Sequence, residues 1–447
     1  MASSQPIELT RSLQEAFPRE LLAEFARKSR LVIRMRDFDP VIFFWALMET
    51  IIGGSGKSIA AVKIAYERLA KRPYDQSCFY DRVGSEAMVE FVRLCFAHAC
   101  DEVFPEASRP ELLKRFTQAL IQDSSLARLR DKLAGRLPGC ATPAALKINV
   151  IMNVGGGKPT KVQIAKGTKA EVKFMAINAG LAGTLVMADL GYYCHQAFAR
   201  IENNGGYFLF RLKDNANPTI TGSNIVHRGR ALDIVGKPIR EVIAKLQRGT
   251  LDLNVKVTVD LTGQPGPVPL GGHHPHDRQW RVVGLRDAET GEYHLYIANV
   301  PPELLTAEEV GFAYSQRWEV ELLFKELKGC YDLGAWAVTR EEAVLVQTYA
   351  VLVAWALTRR LRADLLGEEV LKDPRAASLA APLLRFARVL VHHIAELIAR
   401  MLANRRAPRH LPALLRRQAR DPNRGRRALG ARLKRTPRNA RVEADAA

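Results

Sequence analysis

The chain has 447 residues with 47% hydrophobic content, enough for two or three buried cores. Its formal charge is +19, and residues 401–447 alone hold fourteen Lys/Arg against three Asp/Glu. That balance calls for a polyanionic partner through counterion release, although charge alone does not separate DNA from RNA or an acidic membrane. The six cysteines include no CxxC pair, which argues against a zinc ribbon or a disulfide framework and suits free thiols in a reducing compartment.

The opening "MASSQPIELTRSLQEAF" lacks the apolar core of a signal peptide. Residues 1 to about 110 read as short helices with a basic patch, "ARKSRLVIRMR". The succession "SIAAVKIAYERLAKR", Pro73 and "DQSCFYDRVGSEAMVEFVRLC" resembles a helix-turn-helix arrangement, with Arg68, Lys71, Arg72 and Arg82 as candidate phosphate contacts. "GGSGKS" at Gly53–Ser58 lacks the G-x4-G-K-S spacing of a phosphate loop and reads as a loop with Ser58 as N-cap.

From about residue 115 the period changes to that of strands. "QALIQDSSLARL", "ALKINVIMNV" and "KVQIAKG" are three consecutive strands, the last two joined by a turn at Gly155-Gly156-Gly157. A helix is expected near "KAEVKFMAINAG", then the buried strand "TLVMADLGYY", a helix at "CHQAFARIE" and the strand "YFLFRLK". Three strands, helix, strand, helix, strand is the order of a ribonuclease-H-like sheet, so the fold class is α/β.

Residues 214–302 have another character. "LDLNVKVTVDL" alternates at period two, and "WRVVGLRDAETGEYHLYIANV" is a hairpin around Glu289-Thr290-Gly291, so a β-rich insertion interrupts the core. The next segment, "YSQRWEVELLFKELKG", reads as one helix, opened by a Thr306/Glu309 capping box and closed by Gly329. At about 100° per residue, Tyr314, Arg317, Glu321 and Lys328 fall within roughly 60° of arc, opposite Val320, Leu323 and Leu327. Beyond Cys330 the chain is helical to about residue 403. There "AVLVQTYAVLVAWALT" is too short and too interrupted for a membrane span, and an Arg-rich, weakly ordered tail follows.

Metal-dependent phosphoryl transfer needs two or three carboxylates from separate elements, able to clamp divalent cations. Asp123, expected at the end of the first strand, Asp189, ending the fourth, and Glu321 on the polar stripe meet that need. Asp131 rivals Asp123, while Glu319 and Glu326 rival Glu321 from another face of the helix. Asp189 is the best placed, because an acid closing a buried apolar strand is costly unless it binds something.

The spacing Y-x2-R-x3-E-x6-K, filled by Tyr314, Arg317, Glu321 and Lys328, resembles the signature of DDE transposases from bacterial insertion sequences, the branch called insertion-sequence family four. "LIQDSSLARL", "PAALKINVIMNV", "LVMADLGYY" and "YFLFRLK" are similar to that family's successive blocks over roughly residues 115–330. The resemblance implies a ribonuclease-H-like catalytic core with a β-rich insertion, flanked by an α-helical N-terminal DNA-binding domain and a helical C-terminal region used in synapsis. It divides the chain at residues 1–112 (DNA-binding helices), 113–213 (first part of the core), 214–302 (insertion), 303–335 (last core helix), 336–403 (helical region) and 404–447 (tail).

By position, the resemblance implies that Asp123, Asp189 and Glu321 hold two Mg²⁺ or Mn²⁺ ions. Tyr314, Arg317 and Lys328, with Arg211 and Lys213, would contact the DNA backbone. The implied partners are double-stranded DNA, as terminal inverted repeats and target, and a second copy in a synaptic homodimer. No membrane is involved, and the implied location is the bacterial cytoplasm in association with the nucleoid. The implied activity is cut-and-paste transposition: strand cleavage at the repeats, a hairpin intermediate and strand transfer.

The second block commonly reads Asp-Arg-Gly-Tyr, and Leu190 stands here in place of the arginine, the one hint of an inactive DNA-binding relative; a nuclease of the same fold without strand transfer is a separate alternative. "HHPH" at His273–His276 lies in a Pro/Gly-rich loop without partner ligands and is not read as a metal site. Trp318 is expected to pack in a core, and Trp280 is open between core packing and stacking on an extruded base.

Overall fold

The computed structural model describes residues 8–32, 38–54, 58–104, 109–155, 158–225, 233–261, 276–334, 338–367 and 382–420. The chain forms two compact units, one of residues 1–105 with 326–447 and the other of residues 106–325.

The first unit is helical. Its N-terminal part holds α1 (Leu9–Ala16), α2 (Arg19–Lys28), α3 (Pro40–Ile52), α4 (Ile59–Ala70), α5 (Gln76–Val83) and α6 (Glu86–His98). Asp39 caps α3 by accepting from the N–H groups of Val41 and Ile42, and Pro40 sits at the first position, where its missing N–H costs nothing. Ser58 caps α4 as expected, accepting from the Ala61 N–H at 3.2 Å; residues 55–57 of "GGSGKS" lie outside the described residues. Phe38, Phe43, Tyr66, Tyr74 and Phe79 form a linked aromatic cluster, with ring centroids from 5.4 to 6.1 Å apart.

The second unit is built on one nine-stranded mixed sheet ordered β3-β2-β1-β4-β5-β9-β8-β7-β6. The strands are β1 (Ala119–Arg128), β2 (Ala145–Asn153), β3 (Pro159–Lys166), β4 (Leu185–Ala188), β5 (Tyr207–Arg211), β6 (Thr219–Ser223), β7 (Thr250–Val259), β8 (His276–Arg286) and β9 (Tyr293–Ala298). β1, β2 and β3 are antiparallel, while β1, β4 and β5 are parallel neighbours, an arrangement compatible with a ribonuclease-H-like core. The β-rich insertion does not form a separate sheet. β9 pairs antiparallel with β5 (Leu209 opposite Ala298), so β6–β9 extend the core sheet. Where a helix was expected at "KAEVKFMAINAG" there are two short 3-10 turns, Glu171–Phe174 and Ala179–Leu181.

The two faces of this sheet differ. One face carries Val186, Ala188, Phe208, Phe210, Val255, Trp280, Val282 and Ile297 into an apolar core covered by α7 (His195–Asn203) through Phe198 and Ile201. Because strand side chains alternate, Ile121, Met187 and Leu209 point the other way, toward the face where α9 (Ala307–Ser315) packs on β5, β7 and β8. A short helix, α8 (Ile239–Ile243), follows β6.

The expected single helix is two. α9, with the Thr306/Glu309 capping box formed, ends at Ser315, and α10 (Trp318–Tyr331) begins after a tight turn. In that turn Gln316 N–H donates to Ala313 O and Arg317 N–H to Tyr314 O. α10 also runs two residues past Gly329, which therefore does not close it. Val320, Leu323 and Leu327 are buried as their spacing required.

The boundary between the units falls within α10. Beyond it, α11 (Glu341–Leu366) is buried along most of its length in the first unit, against α3 and α6. No helix among the described residues is long and apolar enough to cross a membrane. Helices Leu383–Leu390, Ile394–Leu402 and Leu411–Ala419 follow. The last lies in the stretch expected to be weakly ordered tail, and residues 421–447 are outside the described residues.

Candidate active site

β1 and β4 run side by side in register, Gln122 opposite Ala188. Asp123, the next residue of β1, and Asp189, the residue just past the end of β4, follow that pair, and Asp189 keeps an extended backbone (φ −78°, ψ 170°) as it caps the Leu190–Tyr192 turn. Adjacent strands lie about 4.8 Å apart, so the two carboxylates leave neighbouring backbones at one level and on one face. Asp123 is not at the end of β1, as expected, but in its middle. It marks the end of the β1–β4 ladder, while β1 continues to Arg128 paired with β2 alone. Asp131 lies beyond the strand in an exposed 3-10 turn.

Burial pushes the Asp123 carboxyl up to about 6, against the lowering effects of the Ser124 N–H, which donates to Oδ1 at 2.7 Å, and of the Arg317 charge. Asp189 and Glu321 raise it further, so the three acids share one electrostatic neighbourhood. Tyr314 anchors the helix side of this neighbourhood. Its hydroxyl donates to the carbonyl of Ala188, the residue before Asp189, at 3.3 Å, and its ring lies 5.1 Å from that of Tyr296.

Arg317, in the turn between α9 and α10, donates through Nη2 to Glu321 Oε1 at 2.5 Å. Its guanidinium sits 5.6 Å from the centroid of the Tyr314 ring, and its buried Nε has no partner among the described residues. Burial opposes the Arg317 charge, but Tyr314, Glu321 and Asp189 together outweigh it and raise its pKa.

The two rivals of Glu321 have other attachments. Glu319 accepts from the Gly155 N–H at 2.9 Å, and Glu326 accepts from Trp355 Nε1 at 2.8 Å within the first unit. Lys328 is exposed two turns beyond Glu321 on α10, in the part of the helix that belongs to the first unit.

Arg211 is exposed at the end of β5, one residue after Phe210, the partner of Ala188; it stands level with Asp189 on the same face. Lys213 lies two residues further, its Nζ 5.5 Å above the Tyr193 ring.

Among the N-terminal cations, Arg68 is paired with Glu49. Arg82 donates to Leu31 O at 2.9 Å and lies 4.7 Å over the Phe38 ring, which commits it to the fold, whereas the Arg68 side chain stays 47% exposed beside Glu49. Part of "ARKSRLVIRMR", residues 33–36, lies outside the described residues, as do residues 273–275 of "HHPH".

Trp318 departs from its expectation, and the open choice at Trp280 falls to core packing. Trp318 is 57% exposed rather than packed in a core, because its neighbours Arg317 and Val320 occupy the inward positions. Trp280 is 2% exposed, packs on Phe208 at 5.1 Å and donates to the Glu202 carboxylate at 3.2 Å, which makes it a core residue.

Polar residues that no sequence motif marks lie behind the aspartates, on the reverse face of the sheet. On β1 and β2, Gln122 and Asn149 join side chains at 2.9 Å, and the Tyr192 hydroxyl donates to Asn149 Oδ1 at 2.7 Å. Glu171 accepts from the Ser124 hydroxyl at 2.7 Å. The one sequence signal for these was the glycine two places after Asp189, which the structure shows pressed against the Glu171 carboxylate.

The donor set is all carboxylate oxygen, which suits a hard divalent cation, and Asp123 carries the penalty of neighbouring negative charge that a cation relieves. In this conformation no three His, Cys, Asp or Glu side chains among the described residues converge as metal ligands. Glu321 is engaged by Arg317 instead.

Residues 114–357 match the family described as Transposase DDE domain. The chain is similar to the transposase for insertion sequence element IS231F of Bacillus thuringiensis subsp. israelensis, 21% identical over 76% of this chain and 77% of that one. It is also similar to the transposase for element IS1151 of Clostridium perfringens, 20% identical over 78% and 79%. A shorter match, 32% identical over 17% of this chain and 21% of the relative, is to the putative transposase InsL for element IS186A of Escherichia coli K12.

Proposed function

The chain belongs to the Transposase DDE domain family, and on that premise we propose that it cuts and joins DNA at the terminal inverted repeats of an insertion sequence. The observation that carries this reading is that Asp123 and Asp189 each follow directly on Gln122 and Ala188, the last pair of the adjacent parallel strands β1 and β4, with the Glu321 charge acting on Asp123. Asp123, Asp189 and Glu321 are the residues that would hold Mg²⁺ or Mn²⁺. When bound, two such ions polarise a phosphodiester and ease deprotonation of an attacking water or 3′-OH.

The protein's own side chains account for the rest. Arg317 presents a guanidinium whose buried Nε has no partner among the described residues, a group suited to a phosphate oxygen of the strand being cut. Binding of phosphate there would draw Arg317 from Glu321 and free the carboxylate to turn toward the aspartates. Tyr314 holds the helix to the strand that delivers Asp189. Arg211 at the sheet rim, with Lys213 and Lys328, supplies backbone contacts that fix register without reading sequence.

The proposed sequence of events is hydrolysis of one strand at each end within a homodimer, use of the freed 3′-OH to form a hairpin, reopening, and strand transfer into target duplex. The test is incubation of a pre-cleaved repeat end with supercoiled plasmid. Covalent joining of the end to the plasmid is expected; cleavage of uncut repeats without any joining would reduce the protein to a nuclease.

A further inference from the structure

Ser124 lies between the two faces of β1. Its backbone N–H donates to the Asp123 carboxylate at 2.7 Å, while its hydroxyl, pointing to the opposite face, donates to Glu171 Oε1 at 2.7 Å. Lys147 on β2 supplies the opposite charge, its Nζ 3.8 Å from the same oxygen. The second oxygen of Glu171 rests against the backbone of Gly191, where an added Cβ would fall 1.6 Å from it. Gly191 is two residues after Asp189. One carboxylate therefore touches both the residue following Asp123 and the turn following Asp189.

We infer that Glu171 is a positioning residue that fixes the separation and level of the Asp123 and Asp189 carboxylates from the reverse face of the sheet. The inference rests on the proposed role of those aspartates as metal ligands. Neither aspartate is bonded to Glu171 itself, so its effect passes through the Ser124 backbone on one side and the Gly191 turn on the other. Sheet pairing aligns the strands to Gln122 and Ala188 and then stops; past that point Glu171 ties together what the ladder no longer does. Glycine at 191 follows from the same contact, since any side chain would displace the carboxylate.

The test is direct Mn²⁺ binding to the full chain without DNA, followed by paramagnetic resonance of free Mn²⁺, with melting temperature measured beside it. Outer-shell groups that orient ligands are worth roughly 10- to 100-fold in metal affinity, so Glu171→Ala is expected to weaken Mn²⁺ binding by at least about 10-fold. Glu171→Gln, which still accepts from Ser124, should recover most of the affinity, a rescue that a general packing defect would not show. Ser124→Ala, which removes one hydroxyl, should weaken Mn²⁺ in the same direction, and it carries the test if Glu171→Ala does not fold. Wild-type affinity in folded Glu171→Ala, with binding lost in Asp189→Asn, overturns the inference and leaves the aspartate assignment standing. Equal Mn²⁺ binding by wild type and Asp189→Asn overturns that assignment, and the inference falls with it.

Discussion

Asp123 and Asp189 each stand one residue past Gln122 and Ala188, the last in-register pair of the adjacent parallel strands β1 and β4. Placing two carboxylates side by side at the edge of an apolar core is unfavourable unless a cation joins them. The consequences of that placement can be measured without DNA.

The first concerns pH. The folded-state value of Asp123, about 6, lies above its ordinary 3.8, so the folded chain binds this proton more tightly than the unfolded one. The cost of ionising it is absent below pH 3.8 and complete above pH 6, and amounts to at most about 3 kcal/mol at 1.36 kcal/mol per pH unit. Metal-free protein should lose stability in urea titrations as pH rises through that window. Asp123→Asn should flatten the loss, and millimolar Mn²⁺ at about pH 7.5, above the window, should restore stability to wild type but not to the variant. A wild-type profile that rises through the window would contradict the placement.

A second prediction separates the two tryptophans. Trp280 is buried and hydrogen-bonded to Glu202, so Trp280→Ala should cost about 3–5 kcal/mol. Trp318 is 57% exposed, and Trp318→Ala should fall within about 0.5 kcal/mol of wild type. Chemical denaturation of the two variants under one set of conditions checks both. Similar losses in the two would contradict the burial difference.

A third concerns the approach to α9. Arg281, 4% exposed, forms a bidentate pair with Asp252 at 2.7 and 2.8 Å and donates to the carbonyls of Val300 and Leu305, just before the helix. Arg281→Met leaves Asp252 buried and unpaired, and should cost roughly 3–5 kcal/mol. Arg281→Met combined with Asp252→Leu should regain a large part of that loss in the same unfolding measurement. If the double variant is no more stable than the single one, the stranded charge is not the source of the loss.

Much of this architecture is legible in the sequence because it depends on local period. The alternation in "QALIQDSSLARL" and "LDLNVKVTVDL", the apolar run before Asp189 and the Thr306/Glu309 box each specify their element, and Val320, Leu323 and Leu327 specify the buried side of α10.

What was not legible depends on distant partners. Asp123 looked like a strand end because Ser124-Ser125 resembles a turn, yet pairing with Asn149 and Ile148 carries β1 onward. No Gly or Pro marks the break at Gln316–Arg317. "KAEVKF" has helical composition, but it forms a 3-10 turn in which Phe174 is buried in the core and Glu171 meets Ser124. The joining of residues 1–105 with 326–447 in one unit rests on helix pairs hundreds of residues apart, such as α1 with Ile394–Leu402.

In the proposed site Asp123, Asp189 and Glu321, rather than the neighbouring acids of α10, carry the chemistry. The most direct measurement is nicking of a labelled duplex bearing the element's own terminal repeat, with Mg²⁺ or Mn²⁺, by wild type, Asp189→Asn, Glu321→Gln and Glu319→Gln, with duplex binding followed in parallel. Metal-dependent nicking at the repeat boundary is predicted for wild type and Glu319→Gln. In Asp189→Asn and Glu321→Gln it should fall by on the order of 10²- to 10³-fold with binding retained. Nicking that survives Glu321→Gln, or a wild type that binds the repeat and never cuts it in either metal, would contradict the account.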